Sequence, residues 1–215
     1  MANTRNFILL FSSDFILRYG YQIGKMPLLP YFAITLGASE ILVGTILSIS
    51  TITGMFLKPL VGFLSDNLGR KIWLLVASIF FTIFPFLYLF ISTPGELTVV
   101  RLFHGTATAI LGPVSLALVA DLSPNYPSTR MGKFGMARSG AYLCAPLSAG
   151  IIVGYFSIEI AFYLIGIISA IGTVPLLFLS SDYGKLENSH INRSGFIKKF
   201  RMVLLSSFKI GLFNK

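Results

Sequence analysis

The sequence predicts an all-α membrane protein of six transmembrane helices with both termini in the cytoplasm. Three observations predict it. Hydrophobic residues make up 54% of the 215 residues and charged residues only 12%, roughly half the charged fraction of soluble domains, and mean hydropathy is +0.80. Six stretches, roughly 7–36, 41–62, 72–91, 97–121, 131–155 and 158–180, reach the length of about 20 mostly apolar residues that a spanning helix needs. The charges between them alternate in kind along the chain.

That alternation sets the orientation. The first, third and fifth connections carry Glu40, Glu96 and Glu159 and no lysine or arginine, whereas the second holds Arg70 and Lys71 and the fourth is flanked by Arg130 and Lys133. Arg5 precedes the first span and a basic tail follows the sixth, so every basic segment falls on one side, the cytoplasmic one. The connections are short, which predicts antiparallel helices with sequence neighbours adjacent in space. The apolar run after Arg5 is broken by Ser12, Ser13 and Asp14 and has no small-x-small site, so no cleaved signal peptide is expected.

Residues 1–180 thus form the bundle. Residues 181–215 read as a basic cytoplasmic linker, in which Phe196, Ile197, Phe200, Val203, Leu204 and Phe208 recur at helical spacing among Lys198, Lys199, Arg201 and Lys209. An amphipathic helix on the cytoplasmic leaflet is expected there, cut short where the chain stops at Lys215. The net charge of +9 lies in this tail and around the spans, which fits anionic lipid rather than nucleic acid. The lone Cys144 supports neither a disulfide frame nor a metal cluster, and no cofactor is expected. H-E-x-x-H, G-x-S-x-G and G-x-x-x-x-G-K-[ST] patterns are missing from the sequence, which argues against an intramembrane enzyme and against ATP-driven transport by this chain.

Charged residues within spans are costly and usually face protein or water. In the first span, Asp14, Arg18, Tyr21 and Lys25 fall in one narrow wedge at 100° per residue, with Gln22 beside it. Asp14 and Arg18 are spaced to neutralise each other. Two readings stay open for that pair, a cavity lining or snorkelling to the cytoplasmic surface. Lys25 lies deeper, ahead of Pro27 and Pro30, where a broken helix is expected. In the fourth span Arg101, His104, Thr108, Gly112 and Ser115 share a face. Arg101 either lines a path or snorkels, and His104 is either a packing residue or a proton carrier. In the fifth span Arg138 and Tyr142 lie one turn apart, and Arg138 either enters the cavity or reaches headgroups. One carboxylate among four cations points to an anionic small-molecule substrate.

The loop "GFLSDNLGRK" between the second and third spans is charged and bracketed by glycines. Its residues read as a tight turn: Gly62 for close helix approach, Asp66 to cap the third span, Gly69 for turn freedom, Arg70 and Lys71 in the headgroup layer. Its pattern G-x-L-S-D-x-x-G-R-K resembles the signature loop of the major facilitator superfamily of secondary transporters, with Asn67 departing from the usual basic residue. "GYQIGKMPLLPYFAITLGAS" resembles that family's first helix, and "RLFHGTATA" its fourth-helix motif R-x-x-Q-G-x-x-x-A with His104 in place of Gln. "GAYLCAPLSAG" resembles a degenerate fifth-helix antiporter motif, with Ala141, Ala145 and Ala149 where glycines are expected, a departure that weakens the case for antiport. The resemblance implies the amino-terminal half of a twelve-helix transporter, built as two inverted three-helix repeats. It also implies alternating access, symport or antiport with proton coupling through Asp14 or His104, a latch at Asp66 and Arg70, a multi-pass location in the cell membrane, and a second six-helix half as partner. A six-helix membrane protein that does not transport, or a half-transporter awaiting a partner, is the competing expectation.

Overall fold

The computed structural model describes residues 2–180, and they are helical almost throughout. The elements are α1 (Ala2–Ile23), a π-helical turn (Gly24–Leu28), α2 (Leu29–Thr35), α3 (Glu40–Leu68), α4 (Arg70–Leu87) with a 3₁₀ turn (Tyr88–Phe90), α5 (Pro94–Asp121), α6 (Pro127–Tyr155) and α7 (Ile158–Leu177). The expected tail helix lies outside the described residues.

Five of these helices, α3 to α7, are long and apolar enough to cross a membrane. The rod made by α1, the π turn and α2 is long but too polar to pass on composition, because it carries Asp14, Arg18 and Lys25. The broken helix expected near Pro27 is not found: the rod stays helical through Pro27 and Pro30, and the only irregularity is the π turn. Proline lacks an N–H and its ring displaces the carbonyl four residues back. Widening the turn accommodates it, and the Leu29 amide donates to the Gly24 carbonyl instead.

Three helices begin alike. Ser39, Thr93 and Ser157 each accept a hydrogen bond from an amide of the first turn, and Glu40, Glu96 and Glu159 sit in those turns. Thr93 and Glu96 form a full capping box.

Adjacency in sequence does not dictate packing. The principal partners are α3 with α5, α4 with α7, α1 with α7, α4 with α5 and α1 with α6, while α3 barely touches α4 and α6 barely touches α7. Short links therefore join antiparallel neighbours without making them the main contacts, because small residues elsewhere permit closer approach. Gly105 is the clearest case. A Cβ added there would lie 2.6 Å from the Ser50 carbonyl and 2.8 Å from the Thr53 Cβ, so α3 and α5 touch backbone to backbone. Ala141, Ala145 and Ala149 form a buried stripe along α6, and Tyr19 of α1 bonds Ser148 of α6 at 2.5 Å.

Two apolar clusters fill the bundle. One centres on Leu10, Leu17, Phe81, Leu111 and Phe134, the other on Ile23, Leu29, Phe32, Tyr88 and Phe162.

Candidate functional site

The residues singled out in α1, α5 and α6 form two clusters. The first is built around Asp14, whose residue surface is only 1% exposed. Arg138 reaches from α6 and donates to both Asp14 carboxylate oxygens at 3.0 Å, and Arg18 donates to them at 3.1 and 3.3 Å. Arg138 also bonds the Ser115 hydroxyl at 2.6 Å and lies over the Phe134 ring, while Arg18 approaches Tyr142 at 3.4 Å. A buried carboxylate costs several kcal/mol unless it is paired, and here two guanidinium forks pair it. Both arginines turn their guanidinium groups onto Asp14, with 15% of each side chain left exposed. Asp14 ties α1 to α6, Arg138 extends the tie to α5 through Ser115, and the cluster keeps one positive charge in excess.

The second cluster begins about 10 Å further along α1, at Tyr21, seven residues from Asp14 at 1.5 Å each. Tyr21, Lys25, Tyr88, Arg101 and His104 line a small hollow closed by Phe162 and Ile165. Arg101 is 1% exposed and donates to the Ser50 hydroxyl at 2.6 Å, so it too points inward rather than to the surface. His104 sits in an aromatic cage: its ring stacks on Phe84 with centroids 4.9 Å apart and meets Tyr21 edge-on at 5.2 Å. His104 Nδ1 shares a 2.8 Å hydrogen bond with the Tyr88 hydroxyl, and Nε2 is buried without a partner among the described residues. Lys25 places its ammonium 5.8 Å from the Tyr21 ring centroid. Gln22 is buried on the same rod.

Thr108 lies elsewhere, and Tyr142 reaches the first cluster only at its rim. Thr108 bonds the Gly105 carbonyl of its own helix and faces Gly54, in the seam with α3. Tyr142 is about half exposed on α6.

The signature loop differs from a loop in shape. α3 runs on to Leu68, and a single residue, Gly69 with φ +96°, turns the chain into α4. Only glycine adopts that φ at no steric cost. Asp66 therefore sits in the last turn of α3 and does not cap α4, whose N-cap is Gly69. It pairs with Arg70 at 2.9 Å, and Arg70 also binds Asp121, at the end of α5, at 2.5 Å. Lys71 donates to the Leu177 carbonyl at the end of α7, at 3.0 Å. A Cβ added at Gly62 would meet nothing within 4 Å, so close helix approach is not its role among the described residues.

Asp121, Ser50, Tyr88 and Lys58 escape a reading of the sequence alone. Lys58 is exposed on α3, ten residues from its end, and its signal is a lysine inside an apolar run. Asp121 binds Arg70 across 51 positions, a pairing no local pattern encodes. Asp121 is 33% exposed and Asp66 52% at the side chain, so solvent screens both. Asp121→Asn is expected to cost about 1 kcal/mol and Asp66→Asn less, as read by double-mutant cycles with Arg70→Gln in denaturant unfolding.

A family model for the Major Facilitator Superfamily matches residues 10–212. The chain belongs to that family. It is 27% identical over 78% of its length to the uncharacterized MFS-type transporter MJ1560 of Methanocaldococcus jannaschii, covering 42% of that protein. It is 24% identical over 98% of its length to the quinolone resistance protein NorA of Staphylococcus aureus, covering 57% of it. It is 25% identical over 91% of its length to multidrug resistance protein 2 of Bacillus subtilis, covering 50% of it. The chain spans about half the length of the curated relatives it matches. Family and helices together make it a multi-pass membrane protein of a superfamily of secondary transporters.

Proposed function

We propose that this chain forms one six-helix half of a secondary active transporter in the cell membrane, moving a small anionic solute by alternating access with proton coupling. The observation that carries the reading is the pair of buried ionic clusters inside an otherwise apolar bundle. Asp14 is the sole carboxylate among Arg18, Lys25, Arg101 and Arg138. Ionisable groups held at membrane depth usually mark a substrate or ion path. The excess of positive charge favours an anion. Relatives named for quinolone and multidrug resistance support a small organic solute.

A second half is the natural cover for α3 and α6, the two least buried of the five candidate spans. Lys58 is exposed on α3 about 15 Å from its end, a depth at which lipid is a poor neighbour for an ammonium. In this arrangement the Asp66–Arg70–Asp121 cluster acts as the cytoplasmic latch, breaking and reforming as the halves rock.

Two measurements test the proposal. The mass of the native product in its own membranes, read through an N-terminal tag, is expected near twice 23.6 kDa. That product, reconstituted in liposomes, is expected to show saturable movement of a fluorescent aromatic anion driven by a pH gradient, and the 215-residue chain alone none. Saturable flux from the chain alone would overturn the half-transporter reading. No flux from the native product with either anionic or cationic probes would favour a membrane protein that does not transport.

A further inference from the structure

The exposed face of α3 carries a regular pattern that the bundle does not use. Gly44, Ser48, Thr51, Met55, Lys58 and Gly62 follow one another in alternating steps of four and three residues, the spacing of a seam between two helices. The first five are exposed, and a Cβ added at Gly44 or Gly62 would meet nothing within 4 Å. Small residues on a membrane helix let another backbone come close. Lys58 lies in this seam with neither an ion pair nor a hydrogen bond among the described residues. α3 is 29 residues long, about 43 Å, and overhangs a hydrocarbon core of about 30 Å at both ends. With the helix centred, Lys58, ten residues from Leu68, lies roughly 8 Å inside the nearer boundary. Its Cα–Cβ bond leans toward the start of α3, away from that boundary and toward an end eighteen residues off, so snorkelling is a poor escape.

We propose, on the basis of the half-transporter reading, that Lys58 pairs with an aspartate or glutamate on a helix of the second half at the same depth, and that this second half is not a copy of this chain. An ammonium at such a depth needs an anion. A second copy has none to offer there. Among the described residues Asp14 is held by Arg18 and Arg138, and Glu40, Asp66, Glu96, Asp121 and Glu159 all lie in the first or last turn of a helix. Apart from Glu40 and Asp66 at its two ends, the charge on α3 is Lys58, and the charges on α6 are Arg130, Lys133 and Arg138. Two copies set face to face along these least buried spans would bring cation to cation, which is repulsive. A carboxylate-bearing helix instead satisfies Lys58 and fills the seam over Gly44 and Gly62.

The test uses the native gene product in detergent, with Lys58→Met and Lys58→Arg variants. Methionine keeps an unbranched apolar stem and removes the charge. If Lys58 faces a buried carboxylate, that change orphans the partner. Lys58→Met is therefore expected to lower the midpoint of thermal unfolding by about 5 °C, and Lys58→Arg by much less. If Lys58 faces lipid, methionine is the better residue, so an unchanged or raised midpoint in Lys58→Met overturns the pairing. Equal losses in the two variants overturn it as well, because they report shape rather than charge. A carbodiimide, which condenses an amine with a neighbouring carboxylate, is expected to join Lys58 to an Asp or Glu outside residues 1–215, read by peptide mass. A link to a carboxylate within those residues overturns the proposal. The native mass separates this inference from the reading beneath it. A complex of two 23.6 kDa chains overturns the unlike second half while leaving two halves in place, and a lone 23.6 kDa chain overturns the half-transporter reading itself and the pairing with it.

Discussion

Replacing Asp14 with asparagine is expected to destabilise the protein by about 3 kcal/mol, because it leaves two half-buried guanidinium groups without their counter-charge. For a chain of this size that corresponds to a fall in midpoint temperature on the order of 10 °C. Trp73 is the single tryptophan and sits in the first turns of α4, so its fluorescence reports the unfolding of the bundle. The double variant Asp14→Asn, Arg138→Gln is expected to recover part of the loss, since one cation then leaves with the anion. Arg138→Gln alone should cost less than Asp14→Asn, because Arg18 still neutralises Asp14 at 3.1 Å. A loss of under 1 kcal/mol in Asp14→Asn would mean that water or lipid headgroups reach the cluster and that it is not a sealed ionic knot.

Gly105 gives the second large effect. Its α-hydrogen faces the Ser50 carbonyl and the Thr53 side chain, and even the methyl of alanine would have to push α3 and α5 apart. Gly105→Ala is expected to cost about 1–3 kcal/mol and Gly105→Leu more, through overpacking that the two backbones cannot relieve by a rotamer change. Arg101 lies one turn before Gly105, and its 2.6 Å bond to Ser50 crosses the same seam. Gly105→Leu should therefore also loosen Arg101, visible as faster hydrogen exchange along α5. Gly62→Ala is the matched control. With open space around it, the substitution is expected to stabilise the helix by about 0.5–1 kcal/mol through lower backbone entropy in the unfolded chain. Equal effects at the two glycines would show that the α3–α5 contact is not tight.

These two sites mark what the sequence reveals and what it hides. The polar wedge on α1 is legible because helical periodicity places Asp14 and Arg18 one turn apart. That Arg138 completes the clasp is not legible, since it depends on how α6 crosses α1, 124 positions away. The same holds for Asp121 and Arg70. The family resemblance locates "RLFHGTATA", but only the packing explains why a glycine follows His104. Other features are written in the sequence in local terms. Thr93-Pro-Gly-Glu96 spells a capping box, and Ser39-Glu40 and Ser157-x-Glu159 follow the same logic of cap and acidic first turn. Taken by charge alone, those glutamates are markers of orientation. Their place at helix starts gives them a local reason, the helix dipole, so among these loops it is the lysines and arginines that bear on topology. The signature loop shows the opposite error. Its charged residues suggest a turn of several residues, yet Ser65 to Leu68 continue α3 and Gly69 alone breaks the helix.

The π-helical turn at Gly24–Leu28 has a consequence for how the first rod can be counted and cut. A π turn is one surplus residue lodged in an α-helix, with the helix on either side kept in phase. Numbering straight through from Asp14 at 100° per residue therefore misplaces everything after Leu28 by about one position. The same surplus means the chain has slack of one residue here. Met26 is exposed, within the widened turn. Deleting it would draw the π turn into a regular α turn while leaving Asp14 against Arg138 and Phe32 against Phe162. The first rod is thus more tolerant of a lost residue at this point than anywhere else along its length.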